Sequence, residues 1–323
     1  MQLGLSPDQT HPDFSEMCHQ SKMAESLGFS ALWVHEHHSA GMMYPDPLMA
    51  LAVLAPITAT IRLGTSMLLL PLHHPVRMAQ SAAMVDVMSG GRLDLGIANG
   101  YAATDLAAFG MTGKHRGRRV QQGVELARQL WTGESVTASG EGFELQDFVL
   151  FPPPVQRPGP PLLLGGHAPV AIERAARLGD GFFISATTGL ELLTELISQY
   201  RGLLEELGRR FEGVWLNRVA CVVDSARQKA EARDFFASAL LGLYDDWGHD
   251  NVARLTERER RIDEICRNNL LIGEPAEVLE QVEMYREMGV RHIACLTSFG
   301  APPVDVARRS ITLLGEAVIP KLA

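Results

Sequence analysis

Short β-type runs alternate with amphipathic helical periods along almost the whole chain, and this alternation narrows the fold more than any single motif. The strand-like runs are Gln2–Leu5, Ala31–Val34, Arg62–Leu70, Leu93–Ala98, Leu162–Gly165, Gly181–Ser185, Val214–Val223 and Arg291–Leu296. Between them, Val76, Ala79, Ala83 and Val87 recur at steps of three and four, as do Val120, Val124, Ala127 and Trp131, then Val278, Val282 and Tyr285, and finally Ala307, Ile311, Leu314 and Val318. Each set makes one apolar helix face that needs a sheet to cover it. Glycine turns at Gly28, Gly90-Gly91, Gly179 and Gly289 punctuate the return from helix to strand. Eight such units predict an α/β fold of the (β/α)8 TIM-barrel type, read as one domain over residues 1–323. Two stretches break the rhythm: Gly133–Pro161, rich in Gly and Pro with the makings of a small hairpin, and the charged helical segment Leu243–Asn269. Both are read as insertions, after strands four and seven, with Tyr244 and Trp247 as candidate lid aromatics. The structural rival, a doubly wound open sheet, lacks its nucleotide signatures. No GxGxxG follows the first strand and no GxxxxGK[ST] occurs.

Charge and cysteine usage then remove whole classes of function. Twenty-nine basic against 38 acidic residues give a net charge of −9 with no basic stripe, which disfavours nucleic acid and anionic membranes as partners. Cys18, Cys221, Cys266 and Cys295 form no CxxC pair, so neither a zinc site nor a disulfide scaffold is expected, and reduced thiols point to the cytoplasm. The first residues lack the basic flank and apolar core of a leader, and no run approaches the ~18 apolar residues of a membrane span.

In a barrel of this type chemistry collects at the carboxyl ends of the strands. Strand two is followed there by His35, Glu36, His37 and His38, strand three by His73 and His74, and strand five by His167, so six of the 11 histidines are expected at one mouth. Asn99, Tyr101 and Asp105 follow strand four; Ser185 and Thr187 follow strand six. A single histidine at a strand end is usually structural, but clustering favours chemistry. A metal is not expected, because no HExxH or comparable third ligand accompanies the histidines, and GxSxG is absent. The run Gly165-Gly166-His167-Ala168, between a strand and a helix, presents backbone N–H groups suited to a phosphate. With the histidine-lined mouth it points to a phosphorylated, ring-bearing cofactor.

Trp33-Val34-His35-Glu36-His37-His38, Arg62-Leu63-Gly64-Thr65, Leu70-Pro71-Leu72-His73-His74-Pro75-Val76-Arg77, Met88-Ser89-Gly90-Gly91-Arg92-Leu93 and Phe109-Gly110 together resemble the bacterial luciferase-like flavin-dependent monooxygenases. Gly273-Glu274-Pro275 and Gly289-Val290-Arg291-His292-Ile293 extend the likeness over essentially the entire chain. The resemblance implies a TIM barrel that binds reduced FMN, reacts with O2 to give a flavin hydroperoxide and oxygenates a small organic substrate. A separate flavin reductase would supply the reduced cofactor, in keeping with the missing nicotinamide fingerprint.

Carried over by position, the resemblance makes His37 the active-site histidine, with Glu36 orienting its surroundings and His38 completing the motif. It implies a non-prolyl cis peptide at Ser66-Met67 beneath the isoalloxazine ring, Asp105 and Tyr101 beside the flavin, and Gly165, Gly166, His167 and Ala168 around the phosphate. Two departures stand out. Family members often carry a serine near Ala168 and a cation at the position of Asn99, so backbone N–H groups, His167 and Arg116 or Arg119 have to compensate. Ala98 replaces the cysteine of luciferase itself, so light emission does not follow. A homodimer is also implied, through helices two and three with Met42, Met43, Leu48, Met49 and Met78. Two alternatives stay open: deazaflavin-dependent hydride transfer on the same barrel, for which Gly179-Asp180-Gly181 speaks, and a non-catalytic flavin-binding subunit.

Overall fold

The computed structural model of the chain describes residues 1–38, 43–246, 257 and 262–322. In chain order the elements are β1 (Gln2–Ser6), α1 (Ser15–Ser26), β2 (Ala31–Val34), α2 (Pro47–Leu54), β3 (Arg62–Leu69), α3 (Pro75–Ser89), β4 (Leu93–Ala98), α4 (Ala103–Ala108), α5 (Arg116–Leu130), β5 (Val136–Gly140), β6 (Phe143–Phe148), β7 (Leu162–Gly165) and α6 (Pro169–Leu178). They continue with β8 (Gly181–Ile184), α7 (Leu190–Glu206), β9 (Val214–Val222), α8 (Ala226–Asp246), α9 (Ile262–Asn269), β10 (Leu270–Gly273), α10 (Pro275–Met288), β11 (Val290–Leu296) and α11 (Val304–Leu313). All eight expected strands form, and all four expected helical periods lie on α3, α5, α10 and α11 with its continuation through Val318.

The chain divides into two compact units. The first comprises Met1–Trp33 and Phe183–Ala323. Here β1 pairs in parallel with β11 from Gln2↔His292 to Ser6↔Leu296 and with β2 at Leu5↔Leu32. β11 pairs with β9, and β9 pairs also with β8 at Phe183↔Trp215 and with β10 over Val219–Val222. Near-continuous apolar strands are what a parallel sheet buried on both faces requires. Gly4 is fixed by packing: a Cβ there would stand 2.6 Å from both His292 Nε2 and Trp33 Nε1, which hydrogen-bond to each other at 2.8 Å.

The second unit, Val34–Phe182, holds every residue assigned to the candidate site. β3, β4 and β7 pair in parallel, with a register shift between Thr65 and Leu68. Arg62 grips Asp94 with two 2.6 Å hydrogen bonds across β3 and β4. The expected hairpin exists as the antiparallel pair β5–β6. It enters after α5, on the connection leading into β7, and not directly after strand four. Buried Asp86 anchors the returning segment through the N–H groups of Val155 (2.7 Å) and Gln156 (2.9 Å). Of the segment 243–269, α8 covers the first residues and α9 the last, while Trp247 and the side chain of Tyr244 lie outside what is described.

Candidate active site

β2 ends at Val34, and the chain continues through His35, Glu36, His37 and His38 in extended or irregular backbone. Glu36 is 2% exposed. A carboxylate so enclosed needs donors. It has three. His38 Nε2 lies 2.8 Å from Oε1, His73 Nε2 lies 3.0 Å from each oxygen, and the Leu69 N–H donates to Oε2 at 2.8 Å. Burial pushes the Glu36 carboxyl up, but the bonds from His38, His73 and Leu69 outweigh it and hold the group below the usual carboxylate range. Reciprocally, the hydrogen bond to Glu36 raises His38 against its own burial.

His35 and His37 behave oppositely. Burial, aided by the neighbouring His37, pushes the His35 imidazole down to about 3, against a hydrogen bond with the Ser66 backbone. Burial pushes His37 down to about 4, against the attraction of Asp105 and Glu36. Both rings are therefore neutral near pH 7. A neutral imidazole offers one acceptor and one donor nitrogen, the form required of a base or hydrogen-bond partner.

β3 and β4 bring the next group. The Ser66–Met67 peptide is cis, at the position that the family resemblance implies. It falls within the register shift against β4, where the Thr65 hydroxyl donates to the Gly96 carbonyl at 2.7 Å. A Cβ on Gly96 would collide with the Thr65 carbonyl oxygen and lie 3.1 Å from Met67 Sδ, so only glycine permits this approach. Past β4, Asn99 Oδ1 is buried without a hydrogen-bond partner among the described residues. Tyr101 lies edge-on to His37, ring centroids 6.4 Å apart, and Asp105 on α4 is 4% exposed. Phe109 closes over His38 at 4.6 Å.

The glycine loop after β7 runs into α6, with Ala168 at the N-cap and Pro169 in the first turn. Gly166 has φ 146°, and a Cβ there would stand 2.6 Å from the Ala171 side chain. Ala168 is exposed and gives the helix no side-chain cap, while His167 is half-buried.

The structure thus places Glu36, His37 and His38 just after β2, Ser66 and Met67 within β3, Asn99 and Tyr101 just after β4, Asp105 on α4, and Gly165–Ala168 at the end of β7. Not all expectations survive. His74 is exposed at the N-cap of α3 and makes no side-chain cap bond. Arg116 is committed to the Gly100 and Gly113 carbonyls, and Arg119 lies 3.8 Å from Glu141, so neither is a ready cation for a phosphate. Asp180 accepts from the Leu162 N–H at 2.8 Å and pairs with Arg128, a closure of the α6–β8 turn that explains the Gly-Asp-Gly run without any cofactor. Sequence reasoning missed two residues. His73 was visible only as one of a histidine pair, with nothing to mark it as the partner of Glu36. Arg174 on α6 lies over Gly117, whose missing side chain makes room for the guanidinium. Half-buried, it is held below the usual arginine value by that burial, opposed by Glu173. Among the described residues no group of three His, Cys, Asp or Glu side chains is placed to hold a metal ion, and no helix is long and apolar enough to cross a membrane.

A family model described as luciferase-like monooxygenase matches residues 2–292, and the chain belongs to this family. It is 30% identical over 316 residues to the F420-dependent glucose-6-phosphate dehydrogenase of Amycolatopsis mediterranei, covering 93% of this chain and 92% of that protein. It is 28% identical over 305 residues to the oxygenase component of the flavin-dependent trigonelline monooxygenase of Acinetobacter baylyi, covering 88% and 84%. Among solved structures, the monooxygenase RslO1 from Streptomyces bottropensis superposes with a TM-score of 0.86 at 26% identity over 100% of both chains. The fold is the (β/α)8 TIM barrel of the family, whose members include both flavin monooxygenases and F420-dependent dehydrogenases.

Proposed function

We propose that the chain is a flavin-dependent monooxygenase, using reduced FMN from a separate reductase and O2 to oxygenate a small organic substrate. The observation that carries this reading is His37: a neutral imidazole facing Tyr101, with two carboxylates, Asp105 and Glu36, ready to stabilise it once protonated. The residues fit a flavin. Asn99 Oδ1 is a buried acceptor without a donor, and an isoalloxazine ring carries an N–H of the matching kind. Ser66 and Met67 would lie against the ring, Tyr101 and Asp105 at its border, and Gly165, Gly166, His167 and Ala168 at the phosphate, with Arg174 as the cation that Asn99 does not provide.

When bound, reduced FMN supplies the electrons that activate oxygen. The chain supplies placement and proton handling. His37 accepts a proton or a hydrogen bond from the reacting oxygen of the substrate, and Glu36 holds the motif in position through His38, His73 and the Leu69 N–H. The test is anaerobic titration of the protein with reduced FMN and, in parallel, reduced deazaflavin, followed by admission of labelled oxygen in the presence of candidate substrates. Incorporation of the label supports the proposal. Binding of deazaflavin alone, with hydride transfer and no oxygen consumption, refutes it.

That second reading, deazaflavin-dependent hydride transfer, is favoured by one observation, the 30% identity to an F420-dependent dehydrogenase. His37 would then take the hydroxyl proton of an alcohol substrate. For assembly, Met49 and Val53 on α2 and Met84, Val87 and Met88 on α3 are exposed at 66, 41, 52, 40 and 49%. Such an apolar face supports a homodimer through these helices. The contributors differ from those expected: Leu48 and Met78 are buried, Met43 is half-buried, and Met42 lies outside the described residues. Four free thiols fit a reducing compartment, so the proposed setting is cytoplasmic.

A further inference from the structure

Lys114-His115-Arg116-Gly117-Arg118-Arg119 sets Lys, His and three Arg side chains side by side in a chain whose net charge is −9. A run of like charge repels itself, and acids offset it where they are at hand. Here the neighbouring acids are already taken. Glu141 lies 3.8 Å from Arg119, and Glu173 on α6 pairs with Arg177 at 3.1 Å. Arg116 is held by the Gly100 and Gly113 carbonyls. Lys114 and Arg118 are exposed and make no hydrogen bond or ion pair with the described residues. Arg174 joins this cluster to the glycine loop after β7. It stands on α6, which packs beside α5, and its guanidinium lies over Gly117 in the first turn of α5. The positive end of the α5 dipole, where His115 gives no side-chain cap, adds to these charges. A phosphate ester at Gly165–Ala168 carries at most two negative charges, which Arg174 and the backbone N–H groups of the loop can satisfy. Lys114 and Arg118 then remain, further along the same surface.

We propose that Lys114 and Arg118 form a subsite for a second anionic group of the cofactor, one carried beyond its phosphate ester. The protein takes a monophosphate such as FMN, and it takes more tightly a flavin or deazaflavin whose phosphate bears a further phosphate or carboxylate. Arg174 stands between the two anions. The inference rests on the cofactor reading for one point, the phosphate at Gly165–Ala168, and adds to it the chemistry of what extends from that phosphate. Both side chains reach solvent, so the subsite is open and reads charge more than shape. Its contribution is accordingly sensitive to salt.

The test is a set of dissociation constants, read by cofactor fluorescence with the full chain, for riboflavin, FMN, FAD, and a deazaflavin 5′-phosphate with and without a chain of carboxylates attached to the phosphate. At low salt the wild type is expected to bind an extended ligand about tenfold more tightly than the monophosphate of the same ring, the worth of two exposed charge pairs, and to lose that advantage at about 0.5 M salt. Lys114→Gln combined with Arg118→Gln is expected to bring the ratio to about one, with FMN affinity held within about twofold. A preference for FAD identifies a further phosphate, and a preference for the extended deazaflavin identifies further carboxylates; either one, lost in the double variant, supports the subsite. Monophosphate binding with no gain from either extension, or a gain that survives the double variant, overturns the subsite while the cofactor reading stands. Binding of the extended deazaflavin without any binding of FMN, again lost in the double variant, supports the subsite and refutes the monooxygenase reading. If none of the ligands binds, both fall.

Discussion

Lowering the pH from 8 to 5 is expected to cost the folded protein about 2 kcal/mol through His292 alone, well before its carboxylates titrate. His292 is 2% exposed, and burial, assisted by Arg291, pushes it down to about 3. In the unfolded chain the imidazole keeps its ordinary value near 6.5. Its stability contribution is therefore complete above that value and lost as pH falls toward the folded one. At pH 5 the unfolded ring is about 1.5 pH units below its midpoint while the folded ring is still neutral, and 1.36 kcal/mol per unit gives about 2 kcal/mol. His35, also pushed to about 3, adds a like amount. His38 has the opposite sign: its folded value is raised, so its contribution is present at low pH and lost as pH rises through that value. Glu16 and Glu36, both lowered, lose their contributions only as pH falls below the ordinary carboxylate value. The assay is urea unfolding at intervals between pH 8 and 5, comparing wild type with His292→Gln, whose amide oxygen can still accept from Trp33. The variant's stability is expected to fall less across this window, by about 2 kcal/mol. Parallel pH curves for the two proteins would refute the reasoning.

Other consequences follow from the same geometry. His37→Ala should abolish turnover while reduced-cofactor binding, read by fluorescence, persists; retained turnover removes His37 from the mechanism. Arg174→Gln should cut the preference for FMN over riboflavin by about tenfold or more, the worth of one charged hydrogen bond, with riboflavin affinity unmoved; an unchanged ratio excludes Arg174 from the phosphate site. Gly96→Ala, forced against the Thr65 carbonyl, should destabilise by about 3 kcal/mol in denaturant unfolding, and a near-neutral result would show that β3 and β4 can part there. Light scattering should give twice the 35.3 kDa chain mass, falling to the monomer in Met84→Lys with Met88→Lys; a monomeric wild type ends the dimer proposal.

The parts legible in the sequence are those with a period or a fixed spacing. Val76, Ala79 and Ala83 are buried on one face of α3, because a helix face repeats every three to four residues, whereas Val87 near the helix end is 40% exposed; the contiguous His35–His38 motif needs no distant partner to be seen. β10 escaped because Leu270-Leu271-Ile272-Gly273 is too short to show any period and follows a helix without a turn signal. Leu48 and Met78 were misplaced for a related reason. Apolar residues crowd α2 so evenly that its buried and exposed faces differ little in hydrophobicity, and only packing separates Leu48 at 5% from Met49 at 66% exposure.

The site divides along the same line. His37, Ser66–Met67 and the Gly165–Ala168 loop are local features, so a motif carries them. Glu36–His73 spans 37 positions, and Arg174 over Gly117 joins two helices, so each exists only once the sheet has set the elements side by side. Residues of this second kind set the local electrostatics: His73 is one of three donors to a buried carboxylate, and Arg174 is a half-buried cation packed over Gly117. A motif can therefore show the residues of a site without showing what holds them in place. For this protein, then, the Glu36–His73 bond and the approach of Arg174 to Gly117 are contacts that only the folded chain reveals, because neither partner lies within reach of the other along the sequence.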